Sequence, residues 1–263
     1  MTAVILAAGR GSRLHPHTAE CPKCLTVLGG MTLIGRQLRT LRDAGVDDIV
    51  VVAGYRAEML KLPGTRQVRN ERWRTTNMVA SLFAAEAEFG DDLIVSYGDI
   101  VYEPQVLRAL LESRREISVV VDRQWRAYWE SRFDDPLSDA ETLRTDNRGR
   151  ITDIGNRPAT IDDIEAQYIG LTRFKGDGIA ALKHARAALG KTPRPWMQKR
   201  PPAKAYMTDL LMEMILAGDD VHAVPVDGGW LEIDTVADYE KAAAMIAGND
   251  TRFFDPDAER SAA

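Results

Sequence analysis

The sequence predicts an α/β fold: a mixed, mostly parallel sheet flanked by helices, with a β-rich insertion in the second half. Three observations predict it. Short apolar runs at 3–8, 49–53 and 93–97 each end against a glycine, and a fourth follows at 117–121; this is the signature of strands buried on both faces. Segments of helical spacing alternate with them, which calls for crossover connections and helices over the sheet. The composition, 45% hydrophobic and 28% charged over 263 residues with 2 Cys, is that of a globular chain and not of a disulfide-stapled or disordered one.

In chain order, Ala3-Val4-Ile5-Leu6-Ala7-Ala8 is the first strand, followed by a glycine-bearing loop and a long segment to Gly30. Leu33, Ile34, Leu38 and Leu41 mark a helical face that ends at Gly45. The second strand is 49–53, a helix covers 78–89, and the third strand breaks at Gly98-Asp99. A helix over 104–115 and a strand over 117–121 repeat the alternation. The rhythm then changes. Residues 142–145 and 150–154 flank Asp146-Asn147-Arg148-Gly149, a hairpin turn signal. A strand over 166–174, a helix over 176–189, a basic Pro-rich loop over 191–204, a helix over 207–217, strands near 221–226 and 230–233 and a helix over 235–246 complete the chain. The expected organisation is one domain over 1–248, with the insertion at about 123–165 contributing to a substrate site, and a polar, frayed tail over 249–263.

Net charge is −5, so nothing global attracts nucleic acid or anionic lipid, and any anionic ligand must be held by local Arg and Lys. No apolar run approaches the roughly 18 residues of a membrane helix, and the start lacks the basic region of a signal peptide. These features read as a cytoplasmic protein without nucleic-acid or membrane partners; a homodimer is compatible with them.

The first strand runs into Gly9-Arg10-Gly11-Ser12-Arg13-Leu14. Glycines after a buried strand let backbone approach a ligand, and successive N–H groups can cradle phosphates. Leu14 stands where a dinucleotide fingerprint needs its third glycine, and no Gly-Lys-Ser/Thr of a P-loop is present. The whole segment from Leu6 to Leu14, with Pro16, Thr18, Pro22, Lys23 and Leu25, resembles the signature of the sugar-phosphate nucleotidyltransferase superfamily. Gly54-Tyr55, Gly98-Asp99, Tyr168-Ile169-Gly170 and Glu232-Ile233-Asp234 extend the resemblance over nearly the whole chain. It implies the Rossmann-like sheet of the nucleotide-diphospho-sugar transferase type.

The resemblance further implies that Leu6, Ala7, Ala8, Gly9, Arg10 and Gly11, with Gly54, Tyr55, Asn77 and Ser81, bind the nucleotide. Arg13 would meet the departing phosphates and Lys23 the α-phosphate and the incoming phosphate. Asp99 and Asp234 would hold Mg²⁺, with Asp99 also catalytic. Spacing alone makes Arg13 and Lys23 ordinary exposed charges, Asp99 a turn residue and Asp234 a helix cap. No general base is needed, because a phosphate nucleophile is largely dianionic near pH 7 with a second pKa of about 6.

Within the superfamily, Asn70-x-x-Trp73-x-x-x-Asn77-x-x-x-Ser81-Leu82 and Asp122-Arg123-Gln124-Trp125-Arg126-Ala127-Tyr128-Trp129 resemble the bacterial phosphocholine and phosphonate cytidylyltransferases. That branch implies CTP as donor and a small phosphate or phosphonate as acceptor: phosphocholine, phosphoethanolamine, 2-aminoethylphosphonate or similar. Trp125, Tyr128 and Trp129 share one helical face and could cage an ammonium by cation–π attraction, or simply anchor the core. Asp122, Glu130, Asp134 and Asp135 are the expected counter-charges, and Arg123, Arg126 and Arg132 could grip a phosphate. Arg157, Tyr168 and Trp230 complete the expected acceptor site. Asn156-Arg157-Pro158 stands where the sugar enzymes carry Glu-Lys-Pro. The rival readings are a sugar-1-phosphate nucleotidyltransferase and a catalytically inactive nucleotide-binding regulator. His15, His17, Cys21 and Cys24 have zinc-like spacing, but they fall on positions that the nucleotidyltransferase signature leaves free.

Overall fold

In the computed structural model, which describes residues 1–191 and 200–258, the first strand β1 (Thr2–Ala7) is the middle of the parallel part of a seven-stranded sheet. After it come the short pair β2 (Val27–Leu28) and β3 (Met31–Thr32), helix α1 (Leu33–Asp43), β4 (Asp48–Ala53), β5 (Arg66–Arg69), α2 (Met78–Ala84) and β6 (Asp92–Tyr97). Next are β7 (Ile100–Tyr102), α3 (Pro104–Glu112), β8 (Ile117–Asp122), α4 (Trp125–Arg132), β9 (Leu143–Thr145) and β10 (Ile151–Ile154). The chain closes with β11 (Gln167–Lys175), α5 (Asp177–Ala188), α6 (Met207–Ala217), β12 (Val221–Val226), β13 (Trp230–Glu232) and α7 (Val236–Ala247).

The sheet order is β12-β8-β11-β6-β1-β4-β5. All neighbours are parallel except β11, which runs antiparallel to both β6 and β8. Successive strand residues point to opposite faces, so the apolar runs feed two cores at once. Ala3, Ile5, Ile49 and Val51 enter one, and Val4, Val50, Val52 and Val95 the other. Thr32 caps α1 by accepting from the Gly35 N–H at 3.0 Å. The antiparallel pair β7–β13, in register Trp230↔Tyr102 and Glu232↔Ile100, crosses the sheet's ligand edge.

Two differences from the sequence expectation have physical causes. The edge strand β5 (Arg-Gln-Val-Arg) carries one apolar residue and is paired on one side only, so its sequence shows no buried run. The segment after Asn249 is not frayed as far as Ala258. Phe254 is buried, the Phe253 carbonyl accepts from Gly229 and Trp230 N–H at 2.8 and 3.0 Å, and Asp255 N–H donates to Glu103. The insertion opens on helix α4 before its β9–β10 hairpin, and Leu143, Ile151 and Ile154 share a core with the main sheet. Much of the basic loop at 191–204, including Trp196 and Lys199, lies outside the described residues. Among the described residues no helix is long and apolar enough to cross a membrane.

Candidate active site

Two joined clefts open at the carboxyl edge of the sheet, where open α/β folds bind ligands. The first, about 290 Å³, is bordered by Leu6, Ala7, Ala8, Gly9, Gly11, Ser12 and Arg13 from the first loop. Lys23, Cys24, Gly98, Asp99 and Asp234 add to it, and Trp73, Thr76, Asn77, Met78 and Ser81 complete its lining.

The loop that carries Lys23 is shaped locally. Gly11 sits at φ 67°, and a Cβ there would lie 2.7 Å from the Cβ of Lys23, so only glycine lets the lysine stem pass. Thr18 donates to the Gly11 carbonyl at 2.8 Å. Tyr55 N–H donates to the Ala8 carbonyl and the Tyr55 hydroxyl to the Ala19 carbonyl, both at 3.0 Å. Gly54 and Tyr55, expected to bind nucleotide, therefore brace the loop and border neither cleft. Arg10 is exposed, with its guanidinium 5.5 Å from the Tyr55 ring centre, and also lies outside both clefts.

Asp99 follows β6 and Asp234 follows β13, and the Ile233 N–H donates to the Asp99 carbonyl at 3.0 Å. This tie brings two carboxylates 135 positions apart in sequence to one ammonium. Lys23 Nζ donates to Asp99 Oδ2 at 2.7 Å and to Asp234 Oδ1 at 2.6 Å. Arg13 pairs with the other oxygen of Asp234. Burial works to lower the pKa of Lys23, but Asp99 and Asp234 outweigh it, so the lysine is held above its ordinary value as a cation. The four residues expected to carry the chemistry thus form one cluster.

The other oxygen of Asp99, Oδ1, is buried and has no hydrogen-bond partner. Among the described residues no three His, Cys, Asp or Glu side chains gather as a metal site. An orphaned carboxylate oxygen beside a second carboxylate fits Mg²⁺, which takes one or two carboxylates and completes its shell with phosphates and water. His17 packs on Tyr239 with ring centres 4.2 Å apart, Cys21 Sγ donates to the His17 carbonyl, and Cys24 is buried at the cleft wall.

The second cleft, also about 290 Å³, meets the first at Arg13, Met78 and Asp234. Its aromatic walls are Tyr97, Trp129, Tyr168, Tyr206 and Trp230, and its acids are Asp139, Glu141 and Glu232. Gly170, at φ 86°, borders it where a Cβ would lie 2.5 Å from the Tyr97 ring. Trp129 Nε1 is buried and faces the Asp139 carboxylate. Burial, reinforced by Asp209 and opposed by Arg200, pushes Glu141 up to about 7. Burial also pushes Glu232 up to about 7, against Arg132 and with Asp99 and Asp234 adding to it.

The expected acceptor residues divide. Trp129, Tyr168 and Trp230 border the second cleft. Trp125 and Tyr128 do not: the face of α4 that carries them is turned into the core, where Tyr128 meets Trp230 and Phe253 with ring centres 5.3 Å apart. Arg157 is exposed and borders neither cleft. Arg123 and Arg126 lie in exposed pairs with Asp227 and Glu130. Arg132 is buried between Glu232 at 2.8 Å and Asp238 at 2.9 Å. Asp122 accepts from Gln124 N–H, Gly228 N–H and Trp230 Nε1, and so holds structure together instead of facing a substrate. Asp135 accepts from the Leu137 N–H in a turn. The acids that border the second cleft are instead Asp139, Glu141 and Glu232. Glu232 was legible only as part of a family marker, and nothing local in the sequence singles out Asp139 or Glu141.

Residues 3–152 match the family of the MobA-like NTP transferase domain. A CTP:phosphoglutamine cytidylyltransferase of Campylobacter jejuni is 36% identical over 251 residues, 91% of this chain and 98% of that protein. A CMP-5'-(3-aminopropyl)phosphonate synthase of Streptomyces rubellomurinus is 32% identical over 159 residues, 57% of this chain and 24% of that protein. The solved CTP:phosphocholine cytidylyltransferase of Streptococcus pneumoniae superposes with a TM-score of 0.69 at 20% identity, covering 93% of this chain and 98% of that one.

Proposed function

The chain belongs to the MobA-like NTP transferase family and is a nucleotidyltransferase, and we propose that it transfers CMP from CTP to a small, ammonium-bearing phosphate or phosphonate with release of pyrophosphate. CTP as donor is supported by the named activities of the relatives. The ammonium on the acceptor is supported by one observation above others: the second cleft sets Asp139, Glu141 and Glu232 among aromatic rings and meets the first cleft at Arg13 and Asp234. Carboxylates and ring faces both favour a cation, and the shared border supports a reading in which the acceptor's phosphate meets the nucleotide's there.

In this reading the first loop holds the triphosphate, and Lys23 and Arg13 neutralise the charge that grows on the α-phosphate and the leaving pyrophosphate. Asp99 and Asp234 would hold Mg²⁺, which supplies further charge neutralisation to the triphosphate when bound. An acceptor phosphate oxygen attacks the α-phosphorus in line: its bond to phosphorus forms, the bond to the β-phosphate bridge oxygen breaks, and the electron pair leaves with pyrophosphate. Positioning and neutralisation are the protein's whole task.

Pyrophosphate release tests the proposal, with Mg²⁺ and each of CTP, UTP, ATP, GTP and dTTP. Each is paired with phosphocholine, phosphoethanolamine, 2-aminoethylphosphonate, 2-hydroxyethylphosphonate and glucose-1-phosphate. Turnover is expected with CTP and an ammonium-bearing acceptor. Turnover confined to the sugar or to the hydroxyl phosphonate would refute the acceptor reading.

A further inference from the structure

Resting on CTP as the donor, we propose that Asn70 is a positioning residue that locks the Ser81 hydroxyl as a hydrogen-bond donor to the base, and that this pair sets the preference for cytosine over uracil. The first cleft is lined by the charged Lys23, Arg13, Asp99 and Asp234 and by the uncharged Trp73, Thr76, Asn77 and Ser81, side chains that suit a base better than a phosphate.

Asn70 is buried at the end of β5, and its side-chain orientation is settled by its surroundings. The Arg72 N–H donates to Asn70 Oδ1 at 3.0 Å, so the amide NH₂ must point the other way. Its two hydrogens go to Thr76 Oγ1 and Ser81 Oγ, each at 3.0 Å. Thr76 passes its own hydrogen to the Arg72 carbonyl at 2.8 Å, which closes that branch. Ser81 is different. It borders the cleft, is 7% exposed, accepts from Asn70, and among the described residues has no acceptor for its hydrogen. A buried hydroxyl hydrogen without a partner is costly, so the group is poised to donate into the cleft.

The two bases differ at N3, a bare acceptor in cytosine, and the preference rests on Ser81 donating to that atom; O2 accepts in both bases and does not separate them. Uracil carries a hydrogen on N3. If Ser81 accepts it, the Ser81 hydrogen is left with no partner, because Asn70 already occupies the hydroxyl as a donor. A site built to complete one hydrogen-bond polarity rejects the opposite polarity more strongly than a change of shape would.

The test is kcat/KM for CTP against UTP, at pH 8 with Mg²⁺ and one fixed acceptor, in the wild type, Ser81→Ala and Asn70→Asp. In Asn70→Asp the carboxylate still accepts from Arg72 but now also accepts from Ser81, so the serine turns its lone pairs to the base. The CTP/UTP ratio is expected to fall about tenfold or more in both variants, through UTP gaining relative to CTP. Ser81→Ala, a good helix former within α2, keeps the test decisive should Asn70→Asp fail to fold. A wild type that does not favour CTP would refute the nucleotide reading and this inference with it. A wild type that favours CTP, with variants that lose activity equally for both nucleotides, would overturn this inference alone and leave Asn70 and Ser81 as scaffolding.

Discussion

Replacing Glu141 with glutamine is expected to move activity and stability in opposite directions. The Glu141 backbone is fixed by Gln167, whose side chain accepts from the Glu141 N–H at 3.1 Å and donates to its carbonyl at 2.5 Å. The carboxyl is thus held at the second cleft beside Asp139 and Thr208. Burial above all, with Asp209 adding and Arg200 opposing, raises it from an ordinary 4.5 to about 7. The folded chain therefore keeps this proton to higher pH than the unfolded chain does. Its contribution is fully present below about pH 4.5 and is lost as pH rises through 7. At about 1.4 kcal/mol per pH unit, the ionised group burdens the native state by about 3 kcal/mol at pH 8. Glutamine carries no such burden. Glu141→Gln should melt several degrees above the wild type at pH 8 and level with it near pH 4.5.

The same change removes the partner proposed for the acceptor's ammonium. A charge-assisted hydrogen bond contributes about 1.5–3 kcal/mol, so KM for phosphoethanolamine should rise roughly 10- to 150-fold, with KM for CTP far less affected. The wild type should also gain about tenfold in acceptor kcat/KM between pH 6 and 8, as the carboxylate fraction climbs through about 7. The variant should keep only the shallower rise from the acceptor phosphate's own second ionisation near about 6. Differential scanning calorimetry and steady-state pyrophosphate release measure both halves. A variant that holds the acceptor as tightly as wild type and melts no higher at pH 8 would refute the account of this cleft.

Asp99→Asn should lower turnover about 10²- to 10³-fold with an unchanged far-ultraviolet circular dichroism spectrum, and EDTA should abolish wild-type turnover until Mg²⁺ is restored. Arg132→Met should destabilise the fold by about 3–5 kcal/mol in urea unfolding, because it leaves the Glu232 and Asp238 carboxylates buried without their shared cation. Gly11→Ala should cost about 1–2 kcal/mol of stability for the left-handed backbone alone. It should also depress kcat by displacing Lys23, whose Cβ would lie 2.7 Å from the new methyl.

The sequence was most informative where function sits on contiguous residues. Gly9 to Lys23 is a single loop, so its pattern of glycines, Arg13 and Lys23 could be read directly, and the structure gathers those residues with Asp99 and Asp234. The buried strands were legible because both faces are apolar. The edge strand Arg66–Arg69 was not, because one face meets water. The second cleft was least legible. It is assembled from Tyr97, Trp129, Glu141, Tyr168, Tyr206 and Trp230, which no sequence window contains. The spacing of Trp125, Tyr128 and Trp129 identified a shared helical face, but periodicity is the same whether that face meets a core or a ligand. Here it meets the core, and only Trp129 reaches the cleft edge.

The two clefts handle charge in opposite ways, and this separates their ligands. In the first, Lys23 and Arg13 are matched against Asp99 and Asp234 in direct ion pairs, so the site is internally neutral. A triphosphate entering alone would draw the two cations toward itself and leave two carboxylates uncompensated beside it. On the roles proposed above, nucleotide and divalent cation are therefore favoured together and neither is favoured alone. In the second cleft the balance is never struck. Arg132 compensates Glu232 from behind, in the core, while Glu141 is left to relieve its burial by holding a proton near neutrality. A neutral sugar would leave that acid protonated, and an ammonium would favour its ionised form as a partner. A buried acid that only a cation would ionise thus favours an ammonium-bearing acceptor on the reading proposed above.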